Sequence, residues 1–199
     1  MSVKKVLVLL AEGFEEVEAV TPVDYLRRAG IEVTVAAVGN ADSLLVKGSH
    51  GIQIAADAAL ESLAAEGKLD AVDWDGVVVP GGLPGADNLA ASAETGAFLT
   101  AMSAAGKLVC AICASPARVL APLGLLAGKA FTCYPGEEAK VFAAGPTADG
   151  AQWKEDRVLR DGSLITSRGA GTAGEFSCAI AAALVSTAEA EKLAGRLLL

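Results

Sequence analysis

The sequence predicts an α/β fold in which a mostly parallel sheet carries helices on both faces. Three observations lead there. The stretches 3–10, 76–79 and 108–112 are short, Val-rich and nearly uninterrupted by polar residues, as strands buried on both faces require. Segments of helical period lie between such runs. Strands alternating with helices imply right-handed βαβ units, hence parallel pairing.

Each element has its own justification. Residues 15–29 read as a helix with the apolar stripe Val17, Val20, Val23 and Leu26, an Asp24–Arg28 pair at i,i+4, and Gly30 as its stop. Pro22 lies inside that pattern, removes one hydrogen bond and implies a kink. Residues 31–38 form the second strand, with Val33, Val35 and Ala37 on one face. Residues 44–46 and 52–54 pair as a small hairpin across Gly48, Ser49, His50 and Gly51. A short helix spans 60–66, and the strand 76–79 ends in Pro80-Gly81-Gly82. A helix over 93–105 closes at Gly106, the strand 108–112 follows, and 115–120 is helical. Residues 130–133 read as strand and 136–143 as helix. Strands 157–160 and 164–167 flank the turn signal Asp161-Gly162. Helices over 172–185 and 188–198 complete a single domain spanning 1–199, without internal repeat or linker.

Composition narrows the function classes. The chain has 199 residues, 53% hydrophobic and only 20% charged, which excludes intrinsic disorder. A net charge of −8 argues against nucleic acid, whose phosphates need a basic face. The apolar run 6–11 is too short for a signal-peptide core, and no apolar stretch of membrane-spanning length occurs. The expectation is a cytoplasmic protein with no membrane partner, whose four cysteines stay reduced. One histidine, His50, excludes a multi-histidine metal site, so no metal is expected. No G-x-G-x-x-G follows a strand, and no cofactor is expected.

The most informative segment is Cys110-Ala-Ile-Cys113-Ala-Ser-Pro116. A buried strand runs straight into Cys113, and Pro116 suits the first turn of the helix behind it. Small neighbours allow a sharp turn, so Cys113 sits where a nucleophile elbow places its nucleophile. Unpaired N–H groups at the helix start should favour thiolate and depress the Cys113 pKa. Cys110, three residues earlier in the strand, falls on the opposite face, which argues against a redox or zinc C-x-x-C. Cys110 and Cys178 read as core thiols, while Cys133 stays ambiguous.

Two further groups suit a nucleophile at that position. The N–H groups near Gly81 and Gly82, together with that of Ala114, form a candidate oxyanion hole. Glu12, Glu15, Glu16 and Glu18 cluster after the first strand. Such a run is ordinarily a solvated helix start. Glu18 borders the apolar stripe, however, and a carboxyl there could turn inward, stay protonated and bond the cysteine.

Taken together, these motifs resemble the ThiJ/PfpI superfamily, in particular its protein deglycase branch. The resemblance rests on residues 10–18, on Thr21-Pro-Val-Asp24 with Arg27-Arg-Ala-Gly30, and on Val79-Pro-Gly-Gly82 with Gly85-Ala-Asp-Asn-Leu89. Ala111-Ile-Cys-Ala-Ser-Pro116 and Thr166-Ser-Arg-Gly-Ala-Gly-Thr172 complete it, so it spans nearly the whole chain. It implies a flavodoxin-like α/β/α sandwich, a homodimer, and Cys113 as a reactive cysteine beside a protonated Glu18. The implied activity is glutathione-independent conversion of methylglyoxal to lactate, or removal of early glycation adducts. The expected partner is thus a small aldehyde or glycated substrate. A redox-sensing or chaperone role through Cys113 oxidation is the alternative. The resemblance also puts Glu15, Arg28, His50 and Tyr134 at the pocket or the interface. Tyr134 stands where animal members carry His, and His50 near a position often occupied by Arg. With Ala114 directly after the cysteine, the protease and amidotransferase branches fit poorly.

Overall fold

The computed structural model describes residues 3–39 and 43–199. The N-terminal half contains β1 (Lys5–Ala11), α1 (Glu16–Arg28), β2 (Glu32–Val38), β3 (Leu45–Lys47), β4 (Gln53–Ala55), β5 (Ala58–Ala59), α2 (Leu60–Ala65) and β6 (Gly76–Val79). It continues with α3 (Gly85–Ala91), α4 (Ala93–Ala104) and β7 (Leu108–Ile112). Then come β8 (Ala130–Phe131), α5 (Glu138–Ala143), β9 (Gln152–Trp153), β10 (Val158–Asp161), β11 (Leu164–Ser167), α6 (Ala173–Leu184) and α7 (Thr187–Leu197).

Seven strands form the central sheet in the order β10-β11-β7-β6-β1-β2-β5. Every pairing is parallel except β10 with β11. The two-residue strand period divides the core into two layers. Leu7, Leu9, Val77 and Val109 face one side and pack with Leu60 of α2, Leu89 of α3, and Phe98 and Met102 of α4. Val6, Val8, Leu10 and Val78 face the other, against Leu26 of α1, Phe176 of α6 and Leu193 of α7. The sheet is therefore covered by helices on both faces, as predicted. No helix among the described residues is long and apolar enough to cross a membrane.

Chain order reverses at β1, which has β2 on one side and β6 on the other. Ligands of open α/β sheets bind beyond the carboxyl ends of the strands at such a reversal. The loops after β1 and β6 meet there, packed closely enough to need glycine. A Cβ on Gly85 would lie 2.7 Å from the Gly13 carbonyl oxygen, and Gly82 has φ +90°.

Several sequence expectations need correction. The stripe of α1 is only partly the predicted one: Leu26 is buried and Val23 packs against the core, but Val17 and Val20 are 48% and 43% exposed, and Glu16, Glu18, Ala19 and Pro22 are buried in their place. The inward face is set by contacts with the sheet end, where polar loops accept the two carboxylates. The segment after Ser115 is a single wide π-type turn, Pro116–Leu120, rather than an α-helix. The helix α3 was not predicted, because its short stretch rich in Gly, Ala and Asn has no apolar period. The strand expected over 130–133 is only β8, and it pairs with the unpredicted β9 outside the main sheet. The last hairpin turns one residue later than predicted: Asp161 pairs with Leu164, leaving Gly162 and Ser163 at the tip.

Candidate active site

Cys113 follows β7 with φ +64°, the strained elbow conformation. Two backbone hydrogen bonds hold it there. Its N–H donates to the Ser167 carbonyl at 2.9 Å, and its carbonyl accepts from Tyr134 N–H at 2.8 Å. The buried Ser115 hydroxyl donates to the Pro80 carbonyl at 2.6 Å, tying the elbow to the loop after β6. Cys113 is half-buried, touches both core layers, and is thus reachable from solvent at one edge.

The first turn of α1 carries the carboxylates. Glu15 caps the helix, its side chain accepting the Glu18 N–H at 2.7 Å. That cap orients Glu18, which is 1% exposed and meets the Cys113 side chain beside Gly81. Gly81 N–H donates to Glu18 Oε2 at 2.9 Å. Burial, then the neighbouring Glu15 carboxylate, push the Glu18 carboxyl up to about 7. It therefore stays protonated in mildly acidic solution, as the sequence reading required.

The Cys113 thiol behaves otherwise than predicted. The N–H groups of Gly82 and Ala114 favour the thiolate, but they are outweighed. Burial, followed by the Glu18 carboxylate, pushes the thiol well above its ordinary value. A five-residue π turn behind the elbow also offers less aligned dipole than the expected helix. Cys113 thus needs a proton acceptor, and Glu18 is in place for it. Gly81 also departs from its expected role, since its N–H is committed to Glu18 instead of an oxyanion. Gly82 and Ala114 keep theirs as the donors around the sulfur.

The remaining predicted residues divide into two groups. Tyr134 is 53% exposed and borders an open cleft of about 460 Å³ with Arg157, Arg168 and Gly169. Gly169, in the lining of this cleft, adjoins both the Tyr134 ring and Glu18. Another cleft, about 480 Å³ between Glu12, Val46 and Asn88, holds none of the predicted site residues. Arg28 is exposed near the far end of α1, paired with Asp24 at 2.6 Å, and does not reach the pocket. The other cysteines stand apart: Cys110 and Cys133 are fully buried and Cys178 is half-buried.

Glu16 is the residue the sequence reading missed. It is 5% exposed and receives Nδ1 of the His50 ring at 2.9 Å, plus backbone N–H bonds from His50 at 2.7 Å and Ile52 at 3.3 Å. Burial opposes its charge, yet the His50 ring and these N–H groups hold its carboxyl down to about 2. Gly48 lets the hairpin tip approach, since any Cβ there would overlap the Glu16 side chain. The sequence signal was present in Gly48-Ser49 at a hairpin tip, where a close backbone approach needs small residues. Among the described residues, Glu15, Glu16 and His50 also lie within 4.8 Å of one another, close enough to share a metal ion. The Glu16 oxygens, however, are already occupied by protein donors.

Residues 4–183 match the model of the DJ-1/PfpI family. The chain belongs to that family. It is 39% identical over 199 residues to the zebrafish (Danio rerio) Parkinson disease protein 7 homolog, covering 100% of this chain and 99% of the relative. The crystal structure of Drosophila melanogaster DJ-1beta superposes with a TM-score of 0.87 at 38% identity, covering 100% and 99% of the two chains. A protein from Pyrococcus abyssi named a deglycase is 30% identical over 164 residues, covering 82% of this chain and 89% of its own. The family membership and the mostly parallel sheet thus agree with the sequence reading.

Proposed function

We propose that this DJ-1/PfpI protein is a cysteine-dependent glyoxalase and deglycase that needs no glutathione and acts in carbonyl and oxidative stress defence. The observation carrying the reading is the buried Glu18 carboxyl facing Cys113 at its elbow. The Pyrococcus relative's name supports the same class of chemistry.

In this reading the Cys113 sulfur adds to the aldehyde carbon of methylglyoxal while its proton passes to the Glu18 carboxylate. Glu18 passes that proton on to the aldehyde oxygen, giving a hemithioacetal and freeing the carboxylate, and the N–H groups of Gly82 and Ala114 steady the developing oxyanion. Glu18 then carries the proton of the former aldehyde carbon to the ketone oxygen, giving an enediol, and carries the proton of the former aldehyde's hydroxyl to the former ketone carbon. The product is a lactoyl thioester, which water cleaves to lactate and the free thiol. Atoms balance with one water consumed and no redox partner. The half-exposed Tyr134 at the cleft mouth offers a hydroxyl to the substrate.

A homodimer belongs to the same proposal. Val17, Val20 and Ile52 leave apolar surface on and beside the outer face of α1, near Arg28 and His50, and a second copy would cover it. The decisive experiment is lactate formation from methylglyoxal without glutathione. Cys113→Ala and Glu18→Ala should each abolish turnover, and unchanged turnover in either overturns the mechanism.

A further inference from the structure

His50 is the only histidine of the chain, and its ring is largely in solvent, 72% exposed. Its Nδ1 nevertheless faces two carboxylates, Glu16 at 2.9 Å and Glu15 at 4.0 Å. Glu16 is ionised throughout the neutral range, so the Nδ1 facing it carries the hydrogen and Nε2 is left to exchange its proton with solvent. Glu15 connects this ring to the reactive pair, since its other oxygen caps the Glu18 N–H.

We propose that His50 is a positioning residue whose charge decides how readily the Glu18–Cys113 pair gives up its first proton. The inference rests on that pairing within the reading above, and not on the identity of the aldehyde. With His50 neutral, Glu15 and Glu16 place two negative charges at the start of α1, and both oppose a third on Glu18. With His50 protonated, one of them is offset, and the pair loses its proton at lower pH. The Glu16 hydrogen bond and the Glu15 and Glu16 charges hold the ring towards its protonated form.

The other charged groups nearby are few. Lys47 runs past Gly51 on the hairpin, and Glu12 accepts the Lys47 N–H at 3.2 Å. Around Glu18 the titratable neighbours are Cys113, Glu15 and, beyond Gly169, Tyr134.

The test compares three proteins that differ only in the charge at position 50. His50→Asn keeps an N–H donor where Nδ1 lies and never titrates, while His50→Arg is permanently charged. Position 50 lies beside the surface proposed to meet a second copy, so size-exclusion chromatography checks that the assembly is kept and circular dichroism that the fold is. The rate of Cys113 alkylation by iodoacetamide, read by peptide mass spectrometry, is followed against pH. The midpoint for His50→Asn should lie above that for His50→Arg by roughly 0.3 to 0.6 of a pH unit at low salt, and the gap should shrink as ionic strength rises. The parent should lie between them or coincide with His50→Arg. Equal midpoints, or the reverse order, overturn the proposal. Alkylation needs no aldehyde turnover, so failure to form lactate would count against the glyoxalase reading and leave this order untouched.

Discussion

Replacing Glu18 by Gln should make this protein more stable at alkaline pH while destroying its site chemistry. Glu18 is 1% exposed, and its carboxyl is held at about 7 instead of its ordinary 4.5, first by burial and then by the Glu15 charge. The folded protein therefore binds a proton there that the unfolded chain releases. Stability falls as pH rises between those two values, because the native state holds the extra proton throughout that window. The penalty is absent below about 4.5, complete above about 7, and on the order of 3 kcal/mol. Gln fills the same volume, keeps an oxygen for the Gly81 N–H, and carries no charge. Its amide N–H faces the weakly accepting Cys113 sulfur, which offsets about 1 kcal/mol of the gain.

The net gain of about 2 kcal/mol corresponds to roughly 4 to 8 °C in melting temperature for a chain of this length. Thermal melts of parent and Glu18→Gln at about pH 8 and about pH 5 are the assay. The two melting temperatures should differ at the higher pH and converge at the lower. The same variant should lose about two to four orders of magnitude in turnover. A pH-independent difference, or a variant less stable at pH 8, would refute the claim that Glu18 is buried at the expense of stability.

Two further expectations follow from the same geometry. In Gly81→Ala the new Cβ would lie 2.6 Å from the Cys113 Cβ and 2.7 Å from Glu18 Oε2, so the carboxyl must retreat by about 0.7 Å to reach ordinary contact. Alkylation and turnover should fall by about 10²-fold with a stability loss of roughly 1–3 kcal/mol, as measured by thiol labelling and urea unfolding. Glu16 has the opposite linkage to Glu18, because its folded carboxyl is held down to about 2. Its contribution is complete above 4.5 and lost as pH falls towards 2, so Glu16→Gln should cost about 1–3 kcal/mol at neutral pH and flatten acid unfolding monitored by circular dichroism.

The elements read best from sequence are those whose pattern and burial agree. β1, β6 and β7 are buried on both faces, so a continuous apolar run was enough to find them. Gly30, at φ +78°, ends α1 as a stop glycine should. The α1 face was misread because two of its buried residues are carboxylates, and no hydrophobic period reports a charge buried against backbone N–H groups. The elbow was legible at Cys113 because small residues and Pro116 leave few other local geometries. Its thiol was misjudged because proton affinity depends on burial and on a carboxylate 95 positions away along the chain.

By itself, the sequence determined the mostly parallel α/β architecture and the position of Cys113 at a strand end, and its motifs carried the family resemblance. Those follow from local pattern and spacing, which are properties of contiguous residues. The family resemblance already put Glu18 beside Cys113; tertiary structure alone decided that burial there disfavours the thiolate, and that Gly81 supports the acid instead of an oxyanion. It also decided that Glu16 and His50 lock the hairpin tip onto α1. These relations join β1, β4, β6 and β7 at the carboxyl edge of the sheet, and desolvation there sets each proton affinity. No stretch of contiguous sequence encodes them, because burial and electrostatics are properties of the assembled fold.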